Sequence, residues 1–261
     1  LDGEPYLRGS VPFDGIYSLI ARLWQPDSIL EIDEKNYLSF SPRLIRFGSS
    51  GLAGVWAEEN TRESIYNAFR RKETFGTSGP RIKVRFFAGY NFENSNLNDQ
   101  DLIQEAYSKN IPMGGDIIQE KGKNPRFLVW AISDPLGAPL QRVQIIKGWL
   151  ADGEQREKVF DVACSDGQSV NPLNHRCPDN GAKVNLDDCS ISREKGNAEI
   201  KTFWQDPEFS NDQEAFYYAR VLENPTCRWS TWDAVRAEEK PRSDIPVTIQ
   251  ERAWSSPIWI K

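Results

Sequence analysis

The sequence predicts a mainly β fold: an Ig-like antiparallel β-sandwich preceded by the last strand and helix of an α/β domain. After residue 80, short runs rich in Val, Ile, Phe, Tyr and Trp alternate with turn-forming residues and acidic loops. Before residue 80, an apolar run leads directly into a helical pattern. Short strands in this number are typical of a sandwich. The runs are RIKVRFFAGY, RFLVWAIS, QRVQIIKGW, EKVFDVAC, EIKTFW, EAFYYARVLE and SPIWIK.

The first well-defined unit is a strand followed by a helix. The apolar run LAGVWA, at residues 52–57, fits a buried strand, and EENTRESIYNAFRRKE follows it at once. Asn60 and Glu63 form a capping-box pattern at the start of this helix. Ile65 and Phe69 fall on one stripe of the helix, so we expect both to pack inward.

A domain boundary is expected soon after this helix. The helix should end near Thr74, because TFGTSGPRI then supplies the Gly and Pro residues that interrupt regular structure. We place the boundary at Gly79 and Pro80. It divides the chain into an α/β portion at residues 1–79 and a β-sandwich domain at residues 80–261, which carries a Cys-rich insertion.

Three further segments carry weaker patterns. A short helix is predicted at 15–24, within an uneven, proline-containing stretch, and another at 101–107, within a polar insertion. In AFYYARVLE, at 215–223, both alternating faces carry large side chains. That strand therefore either packs on both sides or lies near a sheet edge.

Composition and charge limit the classes of function. The chain has 261 residues and a net charge of −6, with acidic and basic residues interleaved rather than gathered on one face. We therefore expect no nucleic-acid partner. No apolar run approaches the roughly 20 residues that span a bilayer, so no membrane span is expected. We interpret the basic clusters at 70–72 and 121–123 as solvated faces. The chain starts at Leu1 without a leader, and we expect it to lack its front.

The cysteines predict disulfides and an oxidising compartment. They are even in number, lie in the second half of the chain and form no CxxC pair. Three pairings are open, and the strand-like runs favour one of them. Four buried free thiols are the alternative. Stable disulfides would place the protein in the periplasm or outside the cell. The favoured pairs are Cys164 with Cys227 and Cys177 with Cys189.

The single histidine does not complete a familiar catalytic constellation. His175 lies beside a cysteine in NPLNHRCPDN, which is typical of a surface loop. Hydrolytic metal centres draw several ligands from His and carboxylates, and a serine triad needs a nucleophile motif such as GxSxG. Neither pattern is present in the sequence. The motifs of this chain therefore predict no metal site.

Long segments of the chain resemble a bacterial family of unknown function. GLAGVWAEENTRESIYNAFRRKETFGTSGPRI, at residues 51–82, is similar to the closing segment of family members that carry a PHP-like domain, named after the polymerase and histidinol phosphatase superfamily of metal-dependent hydrolases. Five later segments resemble the same family's C-terminal region. They are WAISDPLGAPLQRVQIIKGW, VACSDG, RCPDNGA, VLENPTCRWSTWDA and IQERAWSSPIWI.

This resemblance implies an α/β metal-dependent hydrolase domain followed by a β-sandwich. A family protein of this kind is expected to use a divalent metal, Zn, Mn or Fe, bound through an early His-x-His and a late Asp-x-His motif. Neither motif occurs in this chain, so none of its residues is assigned as a metal ligand. The implied partner is an N-terminal PHP-like portion or subunit, and a homo-oligomer is also compatible. If that portion exists, the strand at 51–57 should present an apolar face without a partner inside this chain.

Candidate catalytic residues lie where the predicted strand gives way to the helix. Glu58 and Glu59 would assist a metal or act as general base if histidines were supplied from elsewhere, with Asn60 and Arg62 beside them. Capping of the helix and complementation of its dipole explain all four residues without any ligand, and this explanation is favoured. Arg81 would bind a phosphate or carboxylate, although a structural salt bridge is an alternative.

Two binding sites are also candidates. The Cys-rich insertion gathers oxygen ligands that would suit Ca²⁺ if the loops converge, although solvated turn carboxylates explain them too. Trp229 and Trp232 would form a stacking platform for a sugar, although Trp in a sandwich more often packs in the core. The calcium candidates are Asp166, Asp179, Asn180, Asp187 and Asp188.

Two functions follow from these observations. In the first, the chain is the C-terminal portion of a secreted or periplasmic PHP-like hydrolase that acts on a phosphoester or related ester bond. The metal ligands then lie on a part absent from this chain, which alone should be inactive. In the second, the chain is a non-catalytic, extracytoplasmic binding or assembly module for a glycan or a protein partner.

Overall fold

The computed structural model describes residues 29–32 and 35–38 as backbone, residues 48 and 50–92, and residues 95–261. In this part of the chain the protein is mainly β, with sixteen strands and three helices. The helix predicted at 15–24 lies outside the described residues. None of the described helices has the length and apolar character of a transmembrane span.

Three short helices interrupt a long series of strands. The helices are α1 (Arg62–Arg70), α2 (Leu102–Lys109) and α3 (Trp229–Arg236). The strands are β1 (Ile29–Ile32), β2 (Lys35–Leu38), β3 (Leu52–Val55), β4 (Thr74–Thr77), β5 (Lys83–Gly89), β6 (Ile111–Pro112), β7 (Asp116–Ile117), β8 (Arg126–Ile132), β9 (Leu140–Ala151), β10 (Glu154–Cys164), β11 (Glu199–Gln205), β12 (Ala215–Glu223), β13 (Thr226–Cys227), β14 (Thr248–Ile249), β15 (Arg252–Ser255) and β16 (Ile258–Ile260).

Two sheets form the body of the protein. The larger sheet has the order β10-β9-β12-β15-β4-β3, and β16 pairs with both β12 and β7. The smaller sheet has the order β11-β8-β5-β6. The strands pair antiparallel, except that β16 runs parallel to β7. The boundary predicted at Gly79 and Pro80 falls between β4 and β5, and β4 pairs with β15 from the far side of it.

One hydrophobic core joins the two sheets. Along β5, β8 and β11, alternate side chains point to the larger sheet, as strand geometry requires. They meet the inward face of β9 and β12 in a single cluster of fully buried residues. Phe127 of β8 lies 4.6 Å from Tyr217 of β12 between ring centroids, and both are 0% exposed. The core also contains Val84, Phe86, Val129, Ala131, Ile145, Ala219, Val221 and Ile260.

The sequence located most of the long strands and the helix α2. Each of the seven predicted strand runs overlaps a strand of the structure, and 101–107 overlaps α2. Strand β12 is central, between β9 and β15, so the alternative that it lies near a sheet edge is wrong. The core face of β12 is the alternating set Ala215, Tyr217, Ala219 and Val221.

Helix α1 differs from its prediction at both ends and in its buried face. Thr61, rather than Asn60, caps it, because the Thr61 hydroxyl accepts a hydrogen bond from the Ser64 N–H at 3.3 Å. The helix stops at Arg70, well before Thr74, since Lys72 adopts a left-handed conformation with φ 58°. Ala68 is the buried residue, so Phe69 points outward and is 51% exposed.

Both disulfides form, but the favoured pairing is wrong. Cys164 bonds Cys177, and Cys189 bonds Cys227. After β10 the chain folds back on that strand: the Asp161 N–H donates to the His175 carbonyl at 2.9 Å, which brings Cys177 beside Cys164. Cys164 ends β10 of the larger sheet and Cys227 lies in β13, which pairs with β14. Each bond therefore fastens the insertion to a strand outside it, and the insertion does not close on itself. The two bonds indicate an oxidising, extracellular environment.

A buried ion pair connects the two sheets. Lys147 of β9 donates from Nζ to Asp206 Oδ2 at 2.6 Å and to the Glu208 carbonyl at 3.0 Å. Tyr217 of β12 donates to the same Asp206 oxygen at 2.8 Å. Asp206 follows β11 directly, is 0% exposed, and also accepts from the Glu208 N–H on Oδ1. A buried charge needs such a complete set of partners, because the free energy of removing it from water is otherwise too unfavourable.

We expect Lys147→Met to lower the free energy of unfolding by about 3–5 kcal/mol, because it leaves the Asp206 charge buried without its cation. Urea unfolding followed by circular dichroism measures the change. The matched control is Lys261→Met, which removes an exposed ion pair to Asp116 at 2.7 Å and should cost less than about 1 kcal/mol. Equal losses in the two variants would show that the buried pair does not stabilise the fold.

Candidate functional site

The residues predicted to act at the β3–α1 junction are exposed and do not form a joint site. Glu58, Glu59 and Asn60 lie between β3 and α1, and Arg62 is the first residue of the helix. Their one hydrogen bond to another described side chain runs from the Glu59 N–H to the Ser64 hydroxyl, at 3.1 Å. Within the described part of the chain, none of these four side chains makes an ion pair.

Arg81 lies elsewhere, at the start of the segment that leads into β5. Its backbone N–H donates to Asp134 Oδ2 at 2.7 Å, and its side chain is exposed. No hydrogen bond links Arg81 to Glu58, Glu59 or Arg62 in the described residues. The catalytic roles of this set therefore stay predictions.

Most of the calcium candidates accept or donate hydrogen bonds within turns and within one polar network. Asn180 donates from Nδ2 to Asp166 Oδ2 at 3.1 Å, and Asp166 also accepts from the Gly196 N–H. Asp179 and Asp188 each accept from the backbone N–H two residues on, while Asp187 is exposed. Burial opposes the shift, but hydrogen bonds from Ser165, Gly196 and Asn180 lower the pKa of Asp166. The bonds from Ser190 lower the pKa of Asp188. Across the described residues, no group of three or more His, Cys, Asp or Glu is arranged to hold a metal ion.

Trp229 and Trp232 do not form a platform on a strand. They lie on α3, three positions apart, and Trp232 is 36% exposed. The Arg236 guanidinium carbon lies 5.3 Å from the Trp232 ring centroid. This helix follows β13, whose Cys227 is bonded to the insertion.

A groove on the outer face of the smaller sheet is a candidate site. Its volume is about 390 Å³. Lys83 and Arg85 of β5 and Trp130 of β8 point outward there, opposite the core-facing residues of the same strands. Trp56, which follows β3, and Ile103 of α2 form its sides. We call this the Trp130 groove; Gln100 and Ile132 complete its lining.

Both indole rings of the Trp130 groove are fixed at their N–H groups. Trp56 donates from Nε1 to the Val84 carbonyl at 2.8 Å, and Trp130 donates to Glu199 Oε1 at 2.5 Å. The guanidinium carbon of Arg85 lies 3.6 Å from the Trp56 ring centroid, within cation–π range. On the other side, Lys201 Nζ lies 4.1 Å from the Trp130 ring centroid. Arg85, Trp130 and Lys201 are register partners across three strands.

The groove is locally positive on an acidic chain. Arg85 donates from Nη1 to the Tyr107 hydroxyl at 2.8 Å, and Tyr107 in turn donates to the buried Glu73. Burial, followed by the bond to Glu73, raises the pKa of Tyr107 to about 12, so the phenol stays neutral. Glu73 also pairs with Arg71 at 3.5 Å. Among the ion pairs of the described residues, none includes Arg85 or Lys83.

The sequence missed this groove for a physical reason. Trp56 lies only two residues before the candidate Glu58. The strand period of two in RIKVRF places Lys83 and Arg85 on the same face of one strand, and Trp130 lies on one face of the strand FLVWAI. That period does not tell which strands are neighbours. The pairing of β5 with β8 and of β8 with β11 brings these residues together.

A buried carboxyl group lies near Arg81's partner Asp134. Glu223, at the end of β12, is 1% exposed; its Oε2 accepts from the Ala138 N–H at 3.3 Å, and its Oε1 has no hydrogen-bond partner among the described residues. Burial raises the pKa of Glu223 to about 8, despite the Ala138 bond, and the charges of Glu251 and Asp134 add to the rise. The group is thus mostly protonated at neutral pH.

A comparison with protein families matches residues 25–261 to the model described as "Protein of unknown function (DUF3604)". No curated protein and no solved structure matches the chain. The family match covers both sheets and the groove.

Glu223→Gln should flatten the dependence of stability on pH. The pKa of Glu223 in the folded state, about 8, lies above the ordinary value of 4.5. Proton binding to Glu223 therefore stabilises the folded state, and this stabilisation is complete below about pH 4.5. This contribution is lost as the pH rises through about 8, and it amounts to a few kcal/mol at most. Urea unfolding between about pH 5 and about pH 9 should show a smaller decline for Glu223→Gln than for the unsubstituted protein. The exposed Glu154→Gln is the control, and equal declines in both variants would refute the assignment.

Proposed function

Since the chain belongs to the DUF3604 family of proteins of unknown function over residues 25–261, we propose a role from its surface: it binds an acidic saccharide in the Trp130 groove. This corresponds to a non-catalytic, extracytoplasmic binding module. The observation that carries the proposal is the pair of fixed indole rings, Trp56 and Trp130, in a groove that also holds two cations. Arg85 lies over the Trp56 ring, and Lys83 lines the same groove.

The aromatic rings support a saccharide. Small-molecule sites combine flat apolar surface with a few well-placed polar groups. Here Trp130, Ile103 and Ile132 supply the apolar surface, and the Gln100 amide supplies a polar group at the same groove. The Trp56 ring lies beneath the Arg85 guanidinium and holds it in place. The rings lose little freedom on binding, because their N–H groups are already bonded to Val84 and Glu199.

The cations support an acidic ligand. Arg85 donates one N–H to the neutral Tyr107 hydroxyl. Its other N–H groups can donate to a carboxylate or sulfate, which a guanidinium group binds through two parallel hydrogen bonds. Lys83 is exposed at the same groove. A neutral sugar would use the rings and leave this charge without a counterpart.

We also propose that this module is the C-terminal portion of a larger, secreted or periplasmic PHP-like hydrolase acting on a phosphoester or related ester bond. The supporting observation is the apolar surface of the β3–α1 unit: Leu52 is 44%, Tyr66 59% and Phe69 51% exposed. Exposed apolar surface often marks the place where another part of a protein binds. The partner that fits is the N-terminal PHP-like portion.

In this second proposal the Zn, Mn or Fe ion belongs to the other portion. The described residues of this chain contain no matching ligand set, so no step of hydrolysis is assigned to them through a metal. Glu58, Glu59, Asn60 and Arg62, exposed beside the apolar β3–α1 surface, and Arg81 remain the proposed contributions of this chain. An Ig-like arrangement of the two sheets belongs to the same proposal.

Arg85→Gln should weaken binding of an oligogalacturonide, whose sugars each carry a carboxylate, by about 10-fold or more, the effect expected for losing a charge-assisted hydrogen bond. Isothermal titration calorimetry measures the change. A neutral cello-oligosaccharide of the same length serves as ligand control, and Lys183→Gln, at an exposed lysine of the insertion, serves as variant control. Equal affinities of Arg85→Gln and Lys183→Gln, or no binding of any acidic probe, would contradict the proposal.

Phe69→Asp tests the larger assembly. Because Phe69 is half exposed, the substitution should change the unfolding free energy of the isolated chain by no more than about 0.5 kcal/mol. In the natural protein with its histidine-bearing portion, the same change should lower the melting temperature by several degrees, as loss of an apolar contact does. Differential scanning calorimetry measures both, with Glu63→Gln on the same helix as control. A natural protein without such a portion, or no loss in its melting temperature, would count against this second proposal.

A further inference from the structure

A second groove lies at the other end of the smaller sheet, where outward-facing residues meet Tyr90 and Trp204, which pack against the core between the sheets. Its volume is about 590 Å³. Tyr90 and Phe92 after β5, Lys123 before β8, Arg126 of β8 and Gln205 of β11 line it. We call it the Arg126 groove.

The Arg126 groove repeats the chemistry of the Trp130 groove. The guanidinium carbon of Arg126 lies 4.1 Å from the Phe203 ring centroid, and Nη1 donates to the Phe92 carbonyl at 2.6 Å. Within the described residues Arg126 makes no ion pair with a carboxylate. Lys123 Nζ lies 5.8 Å from the Tyr90 ring centroid and pairs with Glu120. Each groove thus offers a cation stacked on an aromatic ring.

Strand register places the two grooves on one line. Trp130 pairs with Lys201, and Arg126 pairs with Gln205, while the residues between them alternate inward and outward. Lys201 and Gln205 are four residues apart on β11, a span of roughly 13 Å. β11 is the last strand of the smaller sheet. The outward residues of the strand link one groove to the other through Phe203.

Helix α2 leaves this line open. Leu102 and Ala106 of α2 cover the outward residues Phe87 of β5 and Leu128 of β8, and form a second small core with them. Phe203 is only partly buried against that core, and Gln205 is exposed. A ligand in the Trp130 groove can therefore continue along β11 beside α2.

We infer that the ligand is an extended acidic polysaccharide that runs along β11 and occupies both grooves. This rests on the proposed saccharide-binding function and adds to it the length and direction of the ligand. Two sites on one ligand chain reinforce each other, because binding at the first raises the effective concentration at the second. Carboxylate and sulfate groups would both meet the cations, so the two probes of the test differ in their acidic group.

The test is calorimetric titration with disaccharide and octasaccharide fractions of two probes, oligogalacturonide and chondroitin sulfate. For at least one probe, the octasaccharide should bind about tenfold tighter than the disaccharide or better, as expected when a second site is engaged. Arg126→Gln should remove this gain, while the disaccharide still binds in the Trp130 groove. Arg85→Gln should weaken both lengths, and Lys183→Gln neither.

Because Arg126 also bonds the Phe92 carbonyl, a second variant guards against misfolding. Gln205→Glu removes one exposed hydrogen bond, from Nε2 to the Asn124 carbonyl at 3.1 Å, and places a negative charge in the Arg126 groove. It should weaken the octasaccharide and leave binding in the Trp130 groove in place. No gain with length, or a gain that survives both Arg126→Gln and Gln205→Glu, overturns the inference while the Trp130 groove remains a saccharide site. Absence of binding by either probe at any length overturns both the inference and the proposed function.

Discussion

The ion pair between Lys147 and Asp206 is the interaction on which the rest of the molecule depends. It links β9 of the larger sheet to the end of β11 in the smaller sheet, and Tyr217 adds a third strand to the same carboxylate. The backbone carbonyl of Asp206 also accepts from Asn124 Nδ2 at 2.7 Å, and Asn124 lines the Arg126 groove. A charge buried between the sheets therefore fixes their relative position and one wall of a surface site together.

The Cys-rich insertion is held by polar contacts as well as by its disulfides. On the larger sheet, Asp161 accepts from Gln144 Nε2 at 2.6 Å and from the Cys177 N–H at 2.7 Å. At the end of the sheet, Asn180 donates to Asn224 at 2.8 Å and accepts from Gln141 at 3.2 Å. These partners explain why Asn180 is buried although its sequence context suggests a calcium ligand. Oxygen-rich residues in this insertion serve to fasten it, since buried amides must be hydrogen-bonded.

The sequence is a good guide to the elements and a poor guide to their pairing. The alternation of large apolar residues marks β5, β8, β9, β10, β11, β12 and β16, because half-buried strands need it. The inward position predicted for Phe69 is wrong, since a nine-residue helix with Ala68 against the sheet leaves its larger neighbour outside. The disulfide pairs and the Trp130 groove depend on which strands adjoin and on where residues 171–177 fold back. Long-range contacts of this kind leave no periodic signal in the chain.

The outer face of the smaller sheet combines fixed aromatic rings with cationic side chains that are not paired with carboxylates in the described part of the chain. Its aromatic rings are held at their polar ends or by packing, while Lys83, Arg85 and Arg126 carry charge that no nearby carboxylate in the described residues takes up. We propose that this face binds an acidic saccharide. A two-dimensional NMR titration of the protein labelled at its tryptophan indole nitrogens tests it most directly. On addition of an acidic oligosaccharide the signals of Trp56 and Trp130 should shift while those of Trp149 and Trp254 stay in place. Shifts confined to Trp149 or Trp254, or no shift at all, would contradict the account.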